Sequence, residues 1–316
     1  MARMMICLFV AVSVVAATGA QEQEQQPSVI RGGTELVRAF VTVTDKDGRL
    51  VTTLRQGDFE LRDDGKPQPI SLFDASPRAI RLIVLLDVSG SMENNLPLLR
   101  GGMLELVKYL RPDDRARIGT FGKDVVISPT FTRDARELLA ALPAEIDENA
   151  PTPLWRALEK AMEAFGAEES DARRVVLVLS DGADSGITLT GKFVTQGDVI
   201  DRARRQDVMV YGVGMRPRPQ RSIGTGIDGL RGALLSGQPD PGLAKVAEES
   251  GGGYTEVRLG DNLGLAFAQI AEELHGQYLL GFEPPKKDGK VHDIQIKINQ
   301  AGMKPRARKN YVAPKG

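Results

Sequence analysis

Three oxygen-bearing side chains, Asp87, Ser89 and Ser91, stand at alternate positions around Gly90, directly after an apolar run at residues 82–86. Carboxylates and hydroxyls are ligands for hard cations such as Mg²⁺, Mn²⁺ or Ca²⁺, whereas a Zn²⁺ site would need His or Cys, which this chain scarcely contains. The same residue types are common helix caps, so the D-x-S-x-S spacing alone leaves both interpretations open.

Two later segments could add ligands of the same kind. Thr152 precedes Pro153, which suits the first turn of a helix, so we expect Thr152 at the N-cap with its hydroxyl at the helix mouth. Asp181 follows a second apolar run, at residues 175–179, and precedes Gly182. Such runs indicate strands buried on both faces of a parallel sheet, and α/β sheets keep their ligand sites at the carboxyl ends of strands. We therefore expect the acidic and hydroxyl groups to meet at one edge of a sheet.

This ordered set resembles the metal-ion-dependent adhesion site (MIDAS) of von Willebrand factor type A domains. The residues that match the family's D-x-S-x-S, Thr and Asp positions are Asp87, Ser89, Ser91, Thr152 and Asp181. The resemblance covers about residues 79–277. It implies a bound Mg²⁺, or else Mn²⁺ or Ca²⁺, with the two serines and the threonine binding directly and the two aspartates binding directly or through water. It also implies a protein partner that supplies an Asp or Glu ligand.

The elements that must position these residues follow from hydrophobic periodicity. Helices are predicted at residues 96–110, 134–142, 153–165, 198–206, 241–250 and 263–275, and strands at residues 82–86, 117–121, 125–128, 175–179, 208–213 and 251–257. This alternation predicts an α/β fold with a doubly wound, mostly parallel, Rossmann-like sheet, in which 125–128 is an antiparallel edge. Trp155 shares an apolar helix stripe and is expected in the core.

Short β segments flank this region on both sides. Strands are predicted at residues 36–44, 49–54, 59–62 and 69–73, and again at 277–282, 292–298 and 305–312, with tight turns at Asp-Gly pairs. Because small isolated sheets are marginally stable, we expect the flanks to pack together as a small second β domain, with separate lobes as the alternative. The predicted order is a signal peptide at 1–20, a flexible leader at 21–33, a β segment at 34–78, the type A domain at 79–276 and a β segment at 277–316.

The chain begins with features of a secretory signal peptide: Arg3, an apolar run at residues 4–17 and small residues around Ala20. Without residues 1–20, 40 basic residues face 42 acidic ones, a formal charge of −2 that suggests no nucleic-acid partner. The only cysteine, Cys7, lies in the signal segment, so the mature chain should hold no disulfide. We expect no membrane span after signal removal. The sequence thus predicts a secreted or periplasmic protein, and GQYLLGFEPP near the C-terminus resembles bacterial secreted proteins with a type A-related domain.

Three classes of function remain open at this point. A binding module would use the metal to recognise a protein, a scaffold subunit of an envelope complex would use it structurally, and a hydrolase would need a general base near it. The histidines, His275 and His292, are expected at a helix end and on a strand surface, away from the site, so the chain is not predicted to be an enzyme.

Asp184 is either a residue that orients the metal ligands or an exposed turn residue. The loop at 215–240, with its G-x-G-x-x-G spacing, is interpreted as a flexible border of the ligand face or a solvated insertion, not as a dinucleotide site.

Overall fold

The computed structural model of the chain describes residues 36–90, 92, 96–147, 149–166, 171–181, 184–185, 193–216, 240–258 and 262–316. In chain order the strands are β1 (Val37–Thr44), β2 (Phe59–Asp63), β3 (Lys66–Gln68), β4 (Leu72–Asp74), β5 (Ile80–Asp87), β6 (Arg115–Phe121), β7 (Val125–Ile127), β8 (Arg173–Ser180), β9 (Val208–Arg216), β10 (Tyr254–Arg258), β11 (Tyr278–Phe282), β12 (Val291–Ile298), β13 (Lys304–Arg306) and β14 (Asn310–Val312). The helices are α1 (Leu96–Tyr109), α2 (Ala135–Ala140), α3 (Leu154–Ala164), α4 (Gln196–Gln206), α5 (Pro241–Ser250) and α6 (Leu263–His275). The predicted signal peptide and leader, Ser91 and residues 217–239 of the long loop lie outside the described residues.

A mostly parallel sheet occupies the centre of the fold, with the strand order β10-β9-β8-β5-β6-β7. β5 pairs in parallel with β8 on one side and β6 on the other, and β7 is the antiparallel edge strand. The apolar runs of β5 and β8 are almost completely buried, as strands covered on both faces must be. The predicted α/β class and the parallel sheet are therefore confirmed.

Helices cover both faces of this sheet because successive side chains of a strand point to opposite sides. Leu82, Val84 and Leu86 share one core cluster with residues of α1 and α6. Ile83 and Leu85 share the other cluster with residues of α3, α4 and α5, including Trp155, which confirms the core position expected for that residue. Among the described residues, no helix has both the length and the apolar character needed to cross a bilayer.

The two flanks combine into a pair of four-stranded sheets with the orders β13-β1-β11-β4 and β14-β12-β2-β3. Antiparallel pairing joins N-terminal to C-terminal residues directly: Val37 opposes Phe282 in β1 and β11, and Asp63 opposes Ile294 in β2 and β12. Side chains from both sheets, among them Tyr278, form one apolar core. The flanking strands thus form the small β layer that the sequence predicted, while the predicted boundaries at residues 78 and 276 stay a prediction.

Buried polar groups connect the β sheets to the α/β region. Arg173, at the amino end of β8, donates to the Leu274 carbonyl oxygen at 2.6 Å and to the Gln277 side-chain oxygen. Gln277 in turn donates to the Thr42 hydroxyl of β1 at 2.8 Å and to the Tyr211 hydroxyl at 3.2 Å. Since Arg173 opens a parallel strand, this junction lies at the end of the sheet opposite to the carboxyl ends where the ligand site was expected.

Strand pairing in the flanks differs from the prediction in three places. The predicted strand at 49–54 is reduced to one isolated bridge, in which Leu50 opposes Thr44 of β1. Further along, the Leu54 N–H donates to the Tyr278 hydroxyl at 2.9 Å. The segment 69–73 does not pair with β2; the short strand β3 does so, and β4 pairs with β11 in the other sheet. The segment 305–312 divides into β13 and β14, which pair with β1 and β12 respectively. Each difference involves one partner more than two hundred residues away, which local patterns do not specify: Tyr278 for Leu54, β11 for β4 and β1 for β13.

Candidate functional site

The candidate site lies at the carboxyl ends of the neighbouring strands β5 and β8. Asp87 is the last residue of β5, and Asp181 directly follows β8. The register of the pair sets Leu86 opposite Leu179, which brings Asp87 beside the residues that end β8. Asp87 is fully buried and Asp181 is 3% exposed, so two carboxylates lie at one protected edge of the sheet.

The carboxylate of Asp87 is held by serine groups. The Ser89 N–H donates to Asp87 Oδ1 at 2.9 Å, and the Ser180 hydroxyl donates to Asp87 Oδ2 at 2.5 Å. Ser180 was not among the residues that the sequence singled out. Its position directly before Asp181, at the end of a strand expected beside β5, was the signal available for it.

The electrostatic environment of Asp87 disfavours its charge. Burial raises the pKa of Asp87 to about 6, and the negative charge of Asp181 adds to the rise, while hydrogen bonds from Ser180 and Ser89 oppose it. Within the part of the chain that the structure describes, no Lys, Arg or His side chain pairs with Asp87. A buried carboxylate beside a second one, without a cationic side chain, is a favourable place for a bound cation.

Thr152 lies at the start of α3, although it does not cap the helix as predicted. Pro153 is the N-cap residue, and no side-chain capping bond is made there. Thr152 precedes the N-cap residue by one position, so its hydroxyl is not at the N-cap. Its carbonyl oxygen accepts hydrogen bonds from the Leu154 N–H and the Ser185 N–H, both at 2.9 Å. Thr152 is 9% exposed, and its main chain is tied to the segment that follows Asp181.

Asp184 supplies the cap that Thr152 does not. Its side-chain oxygen accepts from the Trp155 N–H at 3.3 Å, at the N-terminus of α3, where a negative charge is also favoured by the helix dipole. The Asp184 N–H donates to the Asp240 carboxylate at 2.9 Å, and Asp240 caps α5 through the Gly242 N–H. Asp184 is therefore a half-buried helix cap and not an exposed turn residue, while its orientation of metal ligands stays a prediction. Asp240 was missed, although Asp before Pro at a helix start is an N-cap pattern.

The donor set fits a hard divalent cation. Asp87, Ser89 and Asp181 meet at adjacent strand ends, and Thr152 is bonded through its main chain to the same loop. Carboxylate and hydroxyl oxygens are ligands suited to Mg²⁺, Mn²⁺ or Ca²⁺. The fifth predicted ligand, Ser91, lies outside the described residues.

Both histidines are buried and paired with carboxylates elsewhere in the fold. His275 ends α6, as predicted, and its Nε2 lies 2.8 Å from Asp114 Oδ2. His292 is only 4% exposed, so the prediction of a strand-surface residue is wrong. Its burial is possible because Asp64 and Asp288 contact the two ring nitrogens at 2.9 and 3.0 Å, partners that the local sequence did not reveal.

Comparison with solved structures gives several similar folds of low sequence identity. An aerotolerance-related membrane protein from Bacteroides fragilis is 19% identical, covers 62% of this chain and 98% of its own, and has a TM-score of 0.45. Proximal thread matrix protein 1 from the mussel byssus is 14% identical over 75% of this chain and 50% of its own, with a TM-score of 0.47. A von Willebrand factor type A protein from Catenulispora acidiphila is 13% identical over 81% and 74%, with a TM-score of 0.46. These similarities are too low for a conclusion about function.

Comparison with protein families is more specific. A sequence model of the von Willebrand factor type A domain matches residues 82–183, the segment that runs from β5 to just beyond β8 and includes the candidate site. A search of curated protein sequences finds no match. Type A domains generally mediate protein–protein interactions and often bind a divalent metal. Over residues 82–183 the chain is therefore similar to von Willebrand factor type A domains.

Proposed function

We propose that the protein binds a protein partner through a divalent metal held at the carboxyl ends of β5 and β8. The observation that carries this proposal is the fully buried Asp87 carboxylate, which lies against the charge of Asp181 with no cationic side chain of the described residues beside it. Leaving a buried carboxylate ionised is costly unless it is paired or coordinates a metal. A divalent cation would compensate both carboxylates together.

The residues that would hold the metal are Asp87, Ser89, Thr152 and Asp181, with Ser91 assigned from sequence alone. When bound, the cation supplies an electrophilic position that a partner's Asp or Glu carboxylate can occupy. The neutral hydroxyls of the serines and the threonine leave more of that positive charge uncompensated than further carboxylates would. Mg²⁺ is the metal we propose first, with Mn²⁺ and Ca²⁺ as alternatives.

Asp184 has a positioning role in this proposal. Its side chain accepts from the start of α3, and its neighbour Ser185 donates to the Thr152 carbonyl oxygen. The segment after Asp181 and the segment before α3 are therefore fixed to each other, which limits the freedom of Thr152 and Asp181 relative to Asp87. Groups that orient metal ligands in this way commonly change affinity when they are removed.

The place of action that we propose is outside the cytoplasm, in the periplasm or the secreted fraction. The support is the signal-like sequence at residues 1–20, with its basic start and apolar run. Binding is preferred over catalysis because the two histidines are already paired with carboxylates away from the carboxyl ends of β5 and β8. The second candidate is a scaffold subunit of an envelope complex, in which the metal only stabilises the loops.

The test of this function is metal-dependent capture of a partner from an envelope extract. The mature protein is immobilised with Mg²⁺, exposed to the extract, washed, and eluted with a chelator. We expect a protein that elutes from the wild-type column and is absent from the Thr152→Ala column. Thr255→Ala, an exposed threonine on β10, is the matched control and should retain the partner.

Three outcomes would contradict the proposal. A partner that remains bound after chelation would favour the scaffold role, since the metal would then not mediate the contact. Equal capture by the Thr152→Ala column would exclude Thr152 from recognition. Metal-dependent turnover of a substrate that is abolished by Asp181→Ala would instead establish catalysis.

A further inference from the structure

A second cluster of metal-ligating side chains lies in the β sheets, away from β5 and β8. Asp63 ends β2, Asp64 occupies the turn that follows, and His292 lies on the neighbouring strand β12. One ligand atom from each of the three residues lies within 4.8 Å of the others. The cluster joins the N-terminal and C-terminal flanks, which are more than two hundred residues apart in sequence.

The distances in this cluster are close to those of a coordination sphere. His292 Nδ1 lies 2.9 Å from Asp64 Oδ2 and 3.9 Å from Asp63 Oδ1. Ligands at about 2.1 Å from a tetrahedral metal are about 3.4 Å from one another, so shifts of roughly half an ångström would bring these two pairs of atoms to that spacing.

His292 is oriented as a metal-binding histidine usually is. Its Nε2 lies 3.0 Å from Asp288 Oδ1, so the Nε2–H group can donate a hydrogen bond to this carboxylate. The lone pair of Nδ1 then points towards Asp63 and Asp64. A carboxylate that fixes the far side of the ring in this way is the common arrangement around metal-bound histidines.

The carboxylate of Asp63 is the buried acidic member of the cluster. Asp63 is 3% exposed, and it accepts one hydrogen bond, from the neutral Tyr311 hydroxyl at 3.0 Å. The nearest cationic candidate among the described residues, His292, is 3.9 Å away, which is too long for a hydrogen bond. Lys286 lies 3.6 Å from Asp64, the exposed member of the cluster, and is itself largely exposed. A buried carboxylate with so little compensation is costly unless a cation binds to it.

We propose that Asp63, Asp64 and His292 form a second divalent-metal site, of the kind that takes Zn²⁺ or Co²⁺. An imidazole nitrogen with two carboxylates suits these metals, whereas the oxygen set at Asp87 and Asp181 suits Mg²⁺. Bound there, the metal would connect β2 to β12 and so hold the two flanks together. Asp288 is the positioning residue of this site, because it contacts the ring and not the metal.

The test is a titration of the full mature chain, stripped of metal, with ZnCl₂ and separately with CoCl₂. Asp181→Ala is introduced first to weaken the other site, so that the two sites are measured apart. We expect one equivalent of Zn²⁺ to bind, and Co²⁺ to give the visible absorption of a nitrogen- and oxygen-ligated ion. Asp64→Asn should lower the affinity about tenfold or more.

Asp64→Asn is a safe variant, because Asp64 is exposed and has a φ of +46°, which Asn tolerates well. Asp293→Asn is the matched control: it removes the same charge from an exposed neighbour of His292 on β12 and should leave the affinity unchanged. Asp288→Asn should weaken binding and shift the Co²⁺ spectrum, which a purely structural role would not do.

The proposal is overturned if folded protein binds no Zn²⁺ up to millimolar concentrations, or if Asp64→Asn and Asp293→Asn bind it equally. Either result would show that Asp63, Asp64 and His292 do not form a divalent-metal site. Loss of Mg²⁺ binding at Asp87 would not produce these results, so the two sites succeed or fail separately.

Discussion

Asp87→Asn should stabilise the metal-free protein at neutral pH, although it removes a proposed metal ligand. Burial raises the pKa of Asp87 from 3.8 to about 6, which corresponds to about 3 kcal/mol of unfavourable ionisation in the folded state. Asparagine avoids this cost. Its amide oxygen can still accept the Ser89 N–H, and the Ser180 hydroxyl can rotate to accept from its amide nitrogen. After about 1 kcal/mol for poorer hydrogen bonding, the expected net gain is about 2 kcal/mol.

The sign of the pH dependence follows from the direction of the shift. An acid with a raised pKa in the folded state costs nothing below its unfolded pKa, and the full cost is present above its folded pKa. The advantage of Asp87→Asn should therefore be absent near pH 4 and should grow as the pH rises through about 6.

Mg²⁺ should reverse this difference. If the metal binds only the folded wild-type protein, a concentration 100 times the Kd adds about 2.7 kcal/mol to its free energy of unfolding. Asp87→Asn, having lost a ligand, should gain much less. The wild-type protein would then equal or exceed the variant.

The assay is urea unfolding at pH 4, 6 and 7.5, with chelator and with Mg²⁺. Asp124→Asn is the matched control, since Asp124 is exposed, follows the carboxyl end of β6 and carries the same charge. The reasoning would be refuted if Asp87→Asn is less stable than wild type in chelator at pH 7.5. An equal gain from Mg²⁺ in both proteins would refute the ligand assignment.

Three further predictions concern the packing of α1, the cap of α3 and the buried pair of Asp114 and His275. Gly101→Ala should raise the free energy of unfolding by about 0.5–1 kcal/mol, because nothing lies within 4 Å of the new Cβ. Gly102→Ala should lower it by about 1–3 kcal/mol, because its Cβ would lie 2.8 Å from side chains of α6. Equal effects of the two substitutions in urea unfolding would contradict this prediction. Asp184→Ala should cost about 1 kcal/mol through the lost cap of α3 and should weaken Mg²⁺ binding in calorimetry, so unchanged affinity would remove its positioning role. Burial raises the pKa of Asp114, but hydrogen bonds from His275 and two backbone N–H groups lower it further, so the pKa lies below its usual range. Asp114→Asn should therefore lower the free energy of unfolding by about 1–3 kcal/mol at pH 7. This loss should shrink as the pH falls below about 4, which a pH series of unfolding curves would show.

The sequence predicted the α/β region well because its signals are local. The apolar runs that became β5 and β8 are too long and too continuous for half-exposed strands, and the stripe containing Trp155 has helical spacing. Once both strands are placed side by side in a parallel sheet, Asp87 and Asp181 must meet at its edge. The central part of the candidate site follows from that single step.

The flanks were harder to predict because their pairing is not local. The segment 49–54 has a strand-like composition, yet it makes one isolated bridge to β1, and its Leu54 N–H donates to the distant Tyr278 hydroxyl. The burial of His292 depends on Asp64, which is more than two hundred residues earlier. Only the folded arrangement shows that this histidine has carboxylates on both sides.

The central claim is that Asp87, Ser89, Thr152 and Asp181 hold a divalent metal, and calorimetric titration with Mg²⁺ tests it most directly. Metal-stripped mature protein is compared with Asp181→Ala and with the exposed control Asp124→Asn, all checked for folding. We predict saturable binding at one site in the wild type and the control, and its loss in Asp181→Ala. No binding by folded wild-type protein up to millimolar Mg²⁺, or equal binding by Asp181→Ala, would contradict the claim.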